Sequence, residues 1–431
     1  MNMILYIFLG IFHLFNMKNL ILNFKSKSNN NLKENNLIEY LFLNEIYTEI
    51  KIGTPEQKIN MFIKLQQFPT FITSADYNEG SGIKYNQNKS TTFQYLNKKK
   101  YNYFIYDFIN GNLCIDIVYF NDKEKINEFQ FVLANELKEN VKEYTGEIGL
   151  SLYAALYATY KRNESIINQL KKNNIIDGYT FHIKYTDKNN DLGKLIIGDY
   201  LHNYDNNYLE KDLIYTDVNY IDGSHKWGFY VNNIYIGNDN FIKNSKNIIL
   251  QIEFGLIQGD LNYYNKIKEI FFNKYSNECI EKNFKRYDNI TYIYFVCNSN
   301  VDIKKFPDLK FNNEIIKYNF TLNYEDLFYN YKGNNYFLVI FDASFKKQNW
   351  IIGKPIFIKY LIMFDYDKKR VGIYKKYETP FNFPIVWILV IILIILLLSK
   401  IIYDQLNKKR RIRANELDDN YDYLPQEKIN I

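Results

Sequence analysis

Few residues in this chain have the types and spacing that chemistry requires. The four histidines, His13, His182, His202 and His225, are scattered and show no metal-ligand spacing. No glycine loop of the phosphate-cradling kind is present, and no Ser, His and Asp arrangement can be defended from chain order. Neither a metal nor an organic cofactor is expected. The most informative stretch is Ile52 to Ser74, IGTPEQKINMFIKLQQFPTFITS, in which an Ile-Gly-Thr-Pro turn leads into an apolar strand.

The elements that must position any site are mostly short strands. Tyr47 to Ile52, Phe181 to Tyr185 and Phe357 to Phe364 alternate or cluster apolar residues over strand length, with Gly, Pro, Asn and Asp between such runs. Helical periods are scarce, and Ser165 to Lys172 and Tyr263 to Lys274 are the better candidates. Of the 431 residues, 47% are apolar and 41 are Tyr, enough for a large core. About 350 residues outside the terminal segments exceed one ordinary core, so two lobes are expected, crossing near Tyr215 to Ser224. A net charge of +6, with no basic stripe interleaved with aromatics, argues against a nucleic-acid partner.

Two segments point to a membrane. Ile4 to Phe15 is long enough for a signal h-region and too short to span, so residues 1–24 are expected to be a signal peptide or an amino-terminal anchor. Residues 25–44, which include KSKSNNNLKENN, are expected to be polar and disordered. Phe383 to Ser399 is uninterruptedly apolar, and continuing to Tyr403 gives about 20 residues, which at about 1.5 Å each cross about 30 Å of hydrocarbon. Residues 383–403 are therefore expected to be a transmembrane helix in contact with lipid. Lys408, Lys409, Arg410, Arg411 and Arg413 follow, which puts the tail 404–431 in the cytosol and the remainder in a lumen or outside the cell. Asn88, Asn163, Asn289 and Asn319 stand in glycosylation sequons on that lumenal side. The expected protein is a single-pass type I membrane protein of the secretory or endosomal system or the cell surface.

A series of motifs in order and spacing resembles the pepsin-like aspartic proteases. IGTP is followed by TGEIGL (Thr145 to Leu150), LIIGD (Leu195 to Asp199), WGFYVNNIYIGN from Trp227, and Glu253-Phe254-Gly255. Then come FPDLKF (Phe306 to Phe311) and WIIGKPIFIKYLIMFDYDKKRVGIY from Trp350 to Tyr374. The resemblance covers about residues 45 to 375. It implies an all-β, bilobal fold with minor helix, a lobe over 45–216, a second over 217–378, and a cleft between them. Membrane-anchored relatives of the plasmepsin type share its composition and layout.

That resemblance implies a protease scaffold without its reactive groups. In the family, Asp-Thr-Gly begins nine residues after the Pro of the first turn; here that position is Lys64, followed by Leu65 and Gln66. Glu253, Phe254 and Gly255 stand at the second Asp-Thr-Gly. An aspartic protease needs two carboxylates that share a proton, one acting as base on water and one as acid toward the scissile carbonyl. Lys64 and Glu253 are expected instead to form an ion pair, with the Glu253 pKa lowered by the lysine and with Leu65 and Phe254 packed together beneath. Tyr106 is the nearest match to the family's flap tyrosine, in a hairpin that has lost most of its glycines. Cys297 occupies the place of one end of the family's second-lobe disulfide, and Cys279 is its expected partner. A bridge closing about 18 residues would contribute about 3 kcal/mol. Cys114 is expected to be a free buried thiol.

Three functions are compatible with these residues. The first is an inactive pseudoprotease that binds a peptide or protein partner in the interlobe cleft. The second is a working aspartic endopeptidase using a displaced Asp such as Asp107 or Asp260, or the unusual Lys and Glu pair. The third is a structural or trafficking protein that uses the fold as an ectodomain, for which Tyr421 to Leu424 supplies a Tyr-x-x-apolar sorting string.

Overall fold

A computed structural model describes residues 18–26, 37–80, 82–96, 101–102, 108–138, 144–152, 165–186, 191–205, 207–221, 224–237, 239–242, 245–286, 289–343, 349–375 and 385–421. Residues up to 375 make one unit and those from 376 a second. The first unit is mostly β, in two halves each built on its own sheet.

The same four-strand unit appears in both halves. In the first, Gln57–Lys64 runs parallel to Gly146–Gly149, the chain loops over residues 65–70, and Phe71–Thr73 returns antiparallel to that same strand and parallel to Val132–Ala134. In the second, Lys246–Leu250 runs parallel to Trp350–Ile352, the chain loops over residues 251–256, and Ile257–Gly259 returns antiparallel to it and parallel to Val339–Phe341. Strands enclosed on both faces read as continuous apolar runs, which is why Met61 to Ile63 and Ile248 to Leu250 carry no polar alternation. Each loop must lie close over the end of its middle strand, and glycine makes that approach possible. A Cβ on Gly149 would lie 2.8 Å from the Gln67 carbonyl oxygen, and one on Gly353 would lie 1.8 Å from that of Phe254.

The sheet of the first half is extended by strands from both ends of the unit. Ile362–Asp365 and Arg370–Tyr374 pair with each other, with Thr180–Tyr185 and with Leu213–Asp217. The apolar run Phe357 to Phe364 is therefore not one strand; Lys354–Lys359 is a helix with Pro355 in its first turn. Ile166–Lys172 is helical and capped by the Ser165 hydroxyl.

The amino-terminal expectation is corrected. Leu20–Ser26 is a strand between Leu192–Gly198 and Ile46–Ile52, burying Leu20, Leu22 and Phe24 on one face. Leu37–Phe42 is a helix that buries Leu37, Ile38 and Phe42. The polar string between them dominated the sequence reading and hid a period-2 and a helical apolar pattern at its flanks. Residues 1–17, with the apolar run Ile4 to Phe15, lie outside the described residues.

Cys279 and Cys297 face each other across an antiparallel strand pair and form a disulfide, while Cys114 is buried and free. Burial pushes the Cys114 thiol up to about 12. Of the sequons, Asn88, Asn289 and Asn319 are exposed, and Asn163 lies outside the described residues.

The second unit holds one helix, Ile385–Tyr421. Its side chains are described over 392–410, and Ile392 to Leu398, Ile401, Ile402, Tyr403 and Leu406 are all exposed. Among the described residues no helix is long and apolar enough to cross a membrane.

Two expected outcomes follow from this architecture. Gly353→Ala forces a methyl group onto a backbone carbonyl that no rotamer change can relieve, and chemical denaturation should register a loss of more than about 2 kcal/mol. A chain starting at residue 27 loses a strand paired on both sides and should be recovered aggregated or with a lower unfolding midpoint than one starting at residue 18.

Candidate functional site

The two equivalent loops meet between the halves, and they bring Lys64 and Glu253 to the same place. Lys64 ends its strand one position from the loop. Its ammonium lies 3.8 Å from Glu147 Oε1, donates to the Tyr144 hydroxyl at 3.3 Å, and sits 5.0 Å from the centre of the Tyr144 ring. Pairing register explains the first contact. Phe62 stands opposite Glu147 and Lys64 opposite Gly149, so Lys64 and Glu147 share a face two residues apart. The Glu147 side chain is fully buried and that of Lys64 is 12% exposed, so each offsets the desolvation of the other. Tyr144 is held flat against Phe62, ring centres 4.2 Å apart.

Glu253 is bound to backbone. Its carboxylate accepts the N–H of Leu65 at 3.2 Å and of Gln66 at 3.4 Å, both in the opposite half. The hydrogen bonds cross in the other direction as well. The Gln66 amide donates to the carbonyls of Trp227 and Leu250 at 2.9 and 2.7 Å, and the Trp227 indole donates to the Leu150 carbonyl at 2.8 Å. A third segment holds the second loop from outside: Asn44 N–H donates to the Glu253 carbonyl, and the Gly255 N–H to that of Phe42. The Asn44 side-chain amide donates to the Ile252 carbonyl and to the Tyr185 hydroxyl, each at 2.8 Å.

The expected direction of the Glu253 pKa is reversed. Burial pushes it above the ordinary carboxylate range, and the Lys64 charge and the Leu65 and Gln66 N–H groups recover only part of that shift. The lysine does act on Glu253, but desolvation wins. The expected packing is also different. Leu65 joins the large core with Ile63 and Ile148, whereas Phe254 packs in another cluster with Leu37, Ile38 and Leu256, its ring 4.9 Å from that of Phe42. The amino-terminal helix supplies the apolar partner that the sequence reading had assigned to Leu65.

Other named residues divide clearly. Asp260 follows the strand that leaves the second loop, so it sits at the far end of that strand. It is fully buried, pairs with Lys246 at 3.2 Å and caps the turn at Asn262. Tyr106 and Asp107 lie outside the described residues. Glu147, Tyr144, Gln66 and Asn44 were missed. An acid between the two glycines of the buried strand Gly146–Gly149 was the one available signal for Glu147, because such a residue needs a cation.

A profile of the eukaryotic aspartyl protease family matches residues 45–376. The chain belongs to that family. Among solved structures it is similar to conglutin gamma, a basic 7S globulin from lupine seeds, at 13% identity and a TM-score of 0.61, over 84% of this chain and 96% of that one. At that identity the likeness concerns the fold, which is the two-lobed pepsin-like one. No curated protein matches the sequence.

The site sets two measurable expectations. A carboxyl with a raised pKa binds its proton more tightly in the folded than in the unfolded chain, so the Glu253 contribution to stability is fully present in acid and is lost as pH rises through its raised pKa. Wild type should therefore lose stability from about pH 4 toward neutrality relative to Glu253→Gln, whose curve should be flatter in urea denaturation over the same range. Lys64→Met leaves Glu147 buried without this cation, and should cost about 3–5 kcal/mol at neutral pH, with part of the loss recovered when Glu147→Gln is added.

Proposed function

We propose that this protein is a catalytically inactive aspartyl protease homologue, held in a membrane by residues 383–403, that works by binding a peptide or protein between its lobes. The observation that carries this reading is the engagement of Glu253. A general acid and base must be free to exchange protons with a water and a carbonyl. Glu253 instead accepts two backbone N–H groups of the facing lobe, and the opposite position holds a cation already in contact with Tyr144 and Glu147. Lys64, Glu147 and Glu253 form a charge-coupled group in which one lysine serves a buried carboxylate, Glu147, and a half-buried one, Glu253.

The reading of an active endopeptidase through Asp260 has little support, since that carboxylate is committed to Lys246 and to a turn. The solved structure that this chain resembles is titled a seed globulin, which is compatible with a binding or structural use of the fold. Anchoring is supported by the apolar run Phe383 to Ser399, which begins before Ile392, the first residue of the helix whose side chain is described, and by the basic cluster that follows. A disulfide is consistent with the secretory pathway.

The fragment 18–378 should leave a mixed peptide library uncut from pH 4 to 7, as should its Lys64→Asp and Glu253→Asp single variants. Cleavage by the wild-type fragment that a pepsin-type inhibitor stops would overturn the inactive reading.

A further inference from the structure

Beside the loop that carries Glu253 is a cavity of about 170 Å3. Leu41, Phe328, Leu338, Pro355 and Ile358 supply its apolar lining, and Gly255 of that loop borders it. Phe328 and Leu338 are buried, whereas Tyr329 is 42% and Ile358 40% exposed, so the cavity has a closed floor and an open mouth.

Three charged residues line it, and two are committed elsewhere. Asp326 pairs with Lys359 and accepts the Asn323 N–H in a capping box. The Lys354 ammonium lies 3.9 Å from Asp191 and 5.4 Å from the centre of the Tyr185 ring, both in the first half. Glu325 is exposed, and its carboxylate accepts only the Tyr324 hydroxyl at 3.1 Å; among the described residues no basic side chain pairs with it.

The cavity therefore offers an apolar slot with one uncommitted negative charge and one aromatic ring at its mouth. We propose that this slot takes a basic side chain, arginine or lysine, presented by a partner protein. The methylene stem of such a side chain lies along Leu41, Phe328 and Pro355 while its charged head stays at the water boundary, where Glu325 and the face of Tyr329 meet it. An acidic side chain would meet Glu325, and a purely apolar one would leave that carboxylate unused. Binding in this slot is read with a small probe and does not depend on whether the protein cuts peptides.

The test uses the full chain in detergent micelles and N-acetylarginine amide as probe, followed by saturation-transfer NMR. N-acetylcitrulline amide, of the same shape without the charge, and N-acetylnorleucine amide, an uncharged apolar chain, are the controls. Arginine amide should bind about tenfold more tightly than either control, Glu325→Gln should reduce its affinity about tenfold, and Ile358→Trp, which fills the mouth, should abolish the signal. Equal binding of citrulline amide, an unchanged affinity in Glu325→Gln, or no saturation of the arginine probe at millimolar concentration would each overturn the proposal. Should Ile358→Trp fail to fold, Glu325→Gln, a change to an exposed side chain, decides the question alone.

Discussion

The contact on which the rest of this site depends is the carboxylate of Glu253 on the Leu65 and Gln66 N–H groups. It joins the two halves at the place where their loops meet, and it ties up the group that would otherwise be the nearest thing to a catalytic acid. A buried carboxylate is costly unless its charge is met. Two backbone donors and the nearby lysine meet it in part, and desolvation still leaves its pKa raised. The Gln66 amide answers from the first half by donating to the Trp227 and Leu250 carbonyls, so the halves hold each other by reciprocal hydrogen bonds.

Everything around that contact serves to fix the two loops. The repeated four-strand unit sets both loops at equivalent positions, and Gly149 and Gly353 allow each to lie against its middle strand. Phe42 to Asn44 brace the second loop through main-chain and side-chain hydrogen bonds, and Phe42 and Phe254 pack edge to face beside them. Lys64 is fixed by Tyr144 and Glu147, and it faces a carboxylate that needs a cation. The proposed binding role is compatible with loops held in this way at the base of the two lobes.

The fold was legible because its signature is carried by main-chain geometry. The Ile-Gly-Thr-Pro turn, the strand ending at Lys64 and the Trp350 to Tyr374 series specify turns and enclosed strands, and these survive the exchange of reactive side chains. The disulfide between Cys279 and Cys297 was legible because Cys297 stands where the resemblance places one end of the second-lobe bridge. The finer site was not. Whether Lys64 would act mainly on Glu253 or also on Glu147 depends on the register of Phe62 against Glu147, which no local pattern reports. The raised pKa of Glu253 depends on how completely the halves enclose it, a property of three distant segments. The strand at Leu20 and the helix at Leu37 were obscured by the polar string between them, although both carried the right period.

Amide hydrogen exchange at Leu65 and Gln66, followed by NMR in wild type and in Glu253→Ala, addresses the central claim most directly. If Glu253 is the acceptor that joins the lobes, both amides exchange slowly in wild type and lose that protection in the variant, while the Ile63 amide within the strand keeps its own. Rapid exchange of Leu65 and Gln66 in wild type, or protection that persists without the carboxylate, would mean that Glu253 is free and that the protease reading must be reopened.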